Sequence, residues 1–199
     1  MTLPLRERRR QQTARDIQRA TLDLAAAKGF ENVTTEAIAE AAGISARTFF
    51  NYYTNKEAAS VGLPPKFSEA ARAALREGQG ALEPDLRRFI DAHLADIAAE
   101  ADVIHRLRPV LRSSAQVRWL LDQHLLELRG DLAACLEPRL AGQEHGVAAA
   151  LAGWALHAAG QAIDRWLEGH AATLPEAMAS VWRTERLAAA LIAFPARPA

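Results

Sequence analysis

The chain has 199 residues, half of them hydrophobic, one cysteine, and Lys plus Arg in equal number to Asp plus Glu. The lone Cys135 excludes an internal disulfide framework and a multi-cysteine metal site, and no metal or other cofactor is expected. Ala, Leu and Arg dominate and alternating β-branched runs are missing, which points to an all-α fold.

Zero net charge argues against a uniformly basic surface, but the charge is unevenly spread. Residues 1–19 carry six arginines against Glu7 and Asp16, a modest signal for an anionic partner or simply a solvated basic end. The first residues, MTLPLRERRRQQ, have no apolar stretch behind their charges and do not read as a secretory signal. The most apolar stretch, 147–163, is interrupted by His157 and Gln161 and is short for a membrane span. The expectation is a soluble, cytoplasmic protein with no membrane partner.

In chain order, a first helix is expected from about Arg8 to Lys28, with a thin apolar stripe that includes Ile17, Thr21 and Leu24. Gly29 supplies a left-handed stop. The arginines lie at this helix's N-terminal end, which is unfavourable for its dipole, so helix stability does not explain them. A second helix opens at VTTEAI: Thr34 can cap it, and Val33 can pack on Ile38. It stops at Gly43, and a third helix restarts at the capping residue Ser45. Two short helices joined by a tight glycine turn make a helix-turn-helix.

In the third helix Phe49 and Tyr53 lie one turn apart and can fill a small core. Arg47, Thr48, Asn51 and Tyr52 project elsewhere. A helix with guanidinium, hydroxyl, amide and phenol groups on its outer face suits a major groove with phosphate walls. Thr54 to Glu57 reads as a capping box for a fourth helix, which sets Lys56 beside exposed backbone N–H groups as a phosphate contact.

Pro64 and Pro65 must end or kink that fourth helix, and 62–65 is a candidate hinge. Helices are then expected over about 65–77 and from Pro84 through a stripe of Leu86, Ile90, Leu94, Ile97, Ala101 and Ile104. Pro109 limits the next short one. Ser113 and Ser114 cap a helix to about Leu136 with Val117, Leu121, Leu125, Leu128 and Leu132 inward. Two long helices follow, about 143–169 and 174–193, the last closed by Pro195. The first of these is apolar nearly all round, so it should be buried on more than one side. One side meets the core and another a second copy, with Gly153 and Gly160 allowing close approach. Its Trp154, His157 and Gln161 share a third side and suit a ligand pocket; the alternative is that each is a satisfied core or interface residue. No catalytic residues are expected: no nucleophile elbow, spaced metal-ligand pair or phosphate loop is present.

The run AKGFENVTTEAIAEAAGISARTFFNYYTNKEA carries a family likeness. Residues 10–57 resemble the N-terminal domain of the TetR family of bacterial transcriptional regulators, in an actinobacterial-type version. The resemblance implies a helix-turn-helix DNA-binding domain over 1–60 and a helical effector-binding and dimerisation domain over 61–199. It implies a homodimer on a near-palindromic double-stranded DNA operator, controlled by a small-molecule effector of unknown identity. Control without an effector, or a helical binding protein or enzyme that never touches DNA, are the alternatives. Positions matching Thr34, Thr35, Ser45, Ala46, Arg47, Thr48, Asn51, Tyr52 and Lys56 would touch DNA. Thr35, Tyr52 and Lys56 would meet phosphates, and Arg47, Thr48 and Asn51 base edges or nearby backbone. Thr35 and Ser45 serve equally as helix caps. Phe50 stands where the family often has Tyr; without the hydroxyl it is left with thymine-methyl contact or packing. His93, Trp119 and Leu120 could join Trp154, His157 and Gln161 around an inducer.

Overall fold

The structure, a computed structural model, describes residues 5–192; Pro195, expected to close the last helix, lies outside them. The described residues form α1 (Leu5–Lys28), α2 (Thr35–Ala41), α3 (Ala46–Phe50), α4 (Lys56–Val61), α5 (Glu69–Glu77), α6 (Leu82–Ala98), α7 (Ala101–Ser113), α8 (Ala115–Leu136), α9 (Val147–Leu167) and α10 (Leu174–Ile192), with 3₁₀ turns at Phe30–Asn32 and Glu137–Leu140. No strand occurs among the described residues. No helix there is long and apolar enough to cross a membrane.

The chain divides into two compact units, residues 1–65 with 100–126, and residues 66–99 with 127–199. In the first, α1 to α4 share a core with α7 and the start of α8. Val103, Val110 and Val117 are buried in the same cluster as Ile17, Leu22, Ile38 and Phe49. Val103 and Val110, seven residues apart, lie on one side of α7, and Val117 joins them from the first turn of α8. Glu100 accepts Arg15 and Arg19 at 3.5 and 3.6 Å, and Arg106 pairs with Asp23. The apolar stripe expected to run unbroken from Leu86 to Ile104 is therefore split at 99–100, and its two parts serve different units. Pro109 lies inside α7 and does not end it.

Local chemistry sets the ends of α4. Asn55, and not Thr54, is its cap, accepting the Ala58 amide at 2.7 Å. Its last carbonyls, of Ser60 and Val61, accept the buried Gln18 side chain of α1 at 3.2 and 2.8 Å. Gly62 then turns away at φ +70°, with Gln18 filling the space a side chain would need. Residues 62–68 are non-helical.

The second unit is built on Leu86, Ile90, Leu132, Leu136, Ala155 and Met178, among others. The α8 stripe is narrower than expected: Val117, Leu128 and Leu132 are buried, but Leu125 is 43% exposed. Gly153 is covered by the Arg129 guanidinium of its own unit, whereas among the described residues nothing stands over Gly160.

One polar knot sits in this unit. Asp85 in the first turn of α6 receives Arg139 at 2.8 Å and pairs with Arg88. Arg139 also donates to the carbonyls of Leu75 and Gly80 at 3.0 and 2.7 Å. A side chain at Gly78 would collide with both Arg139 and Asp85. The Arg139 hydrogen bond, against the opposing effect of burial, holds the Asp85 carboxyl below the usual carboxylate range. A folded value below the unfolded one gives stability that is complete above the unfolded pKa and lost as pH falls through the folded one. Thermal melts between about pH 5 and pH 2 should therefore lose more stability in the wild type than in Asp85→Asn. Parallel curves would contradict this role.

Candidate nucleic-acid interface

The α2–α3 turn is fixed by two caps placed back to back. The Ile44 amide donates to Ala39 at 2.9 Å and the Gly43 amide to Glu40 at 3.0 Å, the paired bonds of a Schellman stop, with Gly43 at φ +67°. Ser45 then caps α3 by accepting the Thr48 amide at 3.0 Å. Thr34 does the same for α2 with the Ala37 amide at 3.2 Å. Both expected caps thus have their hydroxyls in use within the chain.

Two rings hold α3 down. Phe49 is fully buried and its ring lies 6.3 Å from that of Tyr53. The Tyr53 hydroxyl donates to the Ala14 carbonyl of α1 at 3.1 Å, and burial pushes its pKa up to about 12. With that side fastened, Ser45, Ala46, Arg47, Phe50 and Asn51 are exposed, and Thr48 and Tyr52 are half-buried. Phe50 is 54% exposed, its ring edge-on to Phe49. Arg47 forms no ion pair among the described residues. The result is a short outward face of guanidinium, amide, hydroxyl and aromatic edge on a rigid base.

Lys56 does something else. Its ammonium donates to the carbonyls of Phe30, Glu31 and Val33 at 2.9, 3.1 and 3.1 Å and sits 4.9 Å from the Phe30 ring centre. All its donors are occupied by the 3₁₀ turn that joins α1 to α2. Thr35, half-buried, donates to Glu36 at 3.2 Å.

A cleft of about 800 Å³ opens beside α3. Thr48, Asn51 and Tyr52 line one part of it. The first turns of α1 line the rest, with Arg6, Arg9, Arg10 and Thr13 joined by Glu7. None of these α1 positions was expected as a site. The available signal was the arginine cluster at the wrong end of the helix dipole.

The six residues considered for a ligand are divided between the two units. Trp119 is 58% exposed and Leu120 packs on the core of the first unit. The other four belong to the second unit. There His93 is buried in α6 with its ring 4.7 Å from Phe67. Trp154 and Gln161 both donate to Glu185 of α10, at 3.1 and 3.4 Å, and Gln161 also bonds the exposed His157 at 2.8 Å.

Comparison with known proteins agrees with this geometry. The family model described as bacterial regulatory proteins, tetR family, matches residues 17–58. The HTH-type transcriptional regulator TcmR of Streptomyces glaucescens is 38% identical over 71 residues, 36% of this chain and 31% of TcmR. The putative mycofactocin biosynthesis transcriptional regulator MftR of Mycobacterium tuberculosis is 47% identical over 51 residues, 26% of each chain. The chain therefore matches less than a third of the length of either relative. Thermus thermophilus FadR, a TetR-family transcriptional repressor solved in complex with lauroyl-CoA, superposes with a TM-score of 0.54 and 25% identity, over 94% of this chain and 98% of that one. The caps, the buried Phe49–Tyr53 pair and the outward polar face thus coincide with residues 17–58, the segment that resembles the tetR family of bacterial regulatory proteins.

Proposed function

We propose that the protein is a transcriptional repressor, and not an enzyme, that acts in the cytoplasm by holding an operator through α3. The observation that carries this reading is the outward face of α3, with Arg47 and Asn51 exposed and Thr48 half-buried beside them, on a base fixed by Phe49 and Tyr53. Arg47 and Asn51 offer the donors that major-groove base edges accept, and Tyr52 stands at the phosphate wall.

A homodimer would present two such faces about 34–36 Å apart to a near-palindromic operator. Leu187 and Leu191 of α10, 65% and 87% exposed, and the uncovered Gly160 of α9 support pairing through these last two helices. The lauroyl-CoA held by the FadR neighbour supports a small-molecule effector in the second unit. For a hundredfold release of DNA, the effector must prefer the DNA-incompetent state by about 2.7 kcal/mol.

The test is selection of bound sequences from random duplex DNA, comparing the wild type with Arg47→Ala. The wild type should enrich one near-palindromic sequence. Arg47→Ala should lose about 1–3 kcal/mol on that sequence and relax its preference at one position in each half-site. Equal weakening on all sequences would remove Arg47 from base reading, and no enrichment by the wild type would remove the function itself.

A further inference from the structure

The arginines of α1 divide into two groups with different surroundings. Arg15 and Arg19 are occupied by Glu100. Arg6, Arg9 and Arg10 are exposed, form no ion pair among the described residues, and line the cleft beside α3. Their positions, with Thr13, follow the three- and four-residue spacing of one helix face. Glu7 also lines the cleft, which leaves its α1 wall with a surplus of positive charge. Cations at a helix N-terminus weaken the helix by a few tenths of a kcal/mol each, and no ion pair among the described residues offsets that cost.

The opposite lining is Thr48, Asn51 and Tyr52, the part of α3 and its following turn that would border a duplex. A groove with guanidiniums along one wall and hydroxyl and amide donors along the other fits a polyanion. When α3 enters a major groove, a sugar–phosphate strand must pass along its flank.

We infer that the first turns of α1 are a second DNA grip, in which Arg6, Arg9 and Arg10 hold the phosphates of the strand lying in this cleft. The inference rests on the DNA-binding reading of α3. It makes α1 a clamp that fixes the depth and register of α3, adding affinity without reading sequence.

Phosphate contacts are counted by salt dependence, since each one neutralised releases counterions and adds about 0.9 to the log–log slope on duplex DNA. The experiment uses the full chain and the duplex that the wild type selects from random DNA, with affinity followed by fluorescence anisotropy from about 50 to 200 mM salt. In Arg6→Gln/Arg9→Gln/Arg10→Gln the slope should become shallower by about 2.7 per protomer, so the affinity lost over that salt range shrinks roughly 40-fold per protomer. The corresponding triple Arg→Lys variant keeps the charges and should keep the slope. Arg15→Gln/Arg19→Gln, on the same helix but paired to Glu100, should leave it unchanged. Circular dichroism confirms that each variant is folded.

A slope equal to the wild type's in the triple Gln variant would overturn the clamp while leaving the α3 reading intact. An equal fall in Arg15→Gln/Arg19→Gln would overturn it too, because overall charge would then be the cause. Loss of the slope in the Lys variant would overturn the phosphate assignment. A wild type that binds no duplex would sink both the clamp and the reading beneath it.

Discussion

Phe49→Ala should unfold the first unit under conditions where the wild type is fully native, and abolish DNA binding with it. The Phe49 side chain has no exposed surface and lies among Ile17, Leu22, Ile38 and Tyr53. Truncating a buried phenylalanine costs about 3–5 kcal/mol through lost transfer energy and the cavity left behind. Whole domains are stable by only about 5–15 kcal/mol. At about 4–8 °C per kcal/mol for a domain of this size, the melting midpoint should fall by more than about 10 °C. Phe49→Leu keeps most of the volume and should fall much less. A Phe49→Ala protein with an unchanged melt would show that the α3 base is not what holds the outward face in place.

Lys56→Met should weaken the protein and its DNA binding together, with the salt dependence of binding unchanged. As a phosphate contact, Lys56 would contribute about 0.9 per protomer to the slope. Its ammonium is instead committed to three carbonyls of the turn between α1 and α2 and lies over Phe30. Hydrogen bonds to a charged group contribute about 1.5–3 kcal/mol each when buried. Here the carbonyls are partly accessible to water, so a total near 2 kcal/mol is the expected loss. Methionine preserves the stem packing, so the effect isolates the ammonium. Weakening that is equal on all sequences fits either role, and the slope decides between them. A slope shallower by about 0.9 per protomer with an unmoved melt would restore the phosphate contact.

The helix-turn-helix was legible because its determinants are local. Thr34, Gly43 and Ser45 act within three or four residues of themselves, and Phe49 and Tyr53 declare their shared side by spacing alone. Features set by distant partners were not legible. Lys56 finds its acceptors 23 to 26 residues away, so a sequence window shows only a lysine at a helix start. Residues 100–126 join the first unit through Val103, Val110 and Val117 and through the Glu100 pairs. The apolar stripe of α6 and α7 has the same period on both sides of the break, and periodicity does not reveal which core each part enters. Leu125 fails for a similar reason: apolar spacing predicts a side of α8 but not how far the neighbouring elements cover it. The α1 arginines were visible as a cluster, yet the cleft they share with Thr48 and Asn51 exists only once α1 and α3 are packed through Ala14 and Tyr53.

Hydroxyl-radical labelling of the exposed Phe50 and the half-buried Tyr52, free and with the selected duplex, tests most directly whether α3 meets DNA. Phe50 should be labelled readily and Tyr52 more weakly in the free protein, and both should be strongly protected once the duplex is bound. Unchanged labelling of both, in a sample where anisotropy reports saturated binding, would place the DNA on another surface and contradict the account.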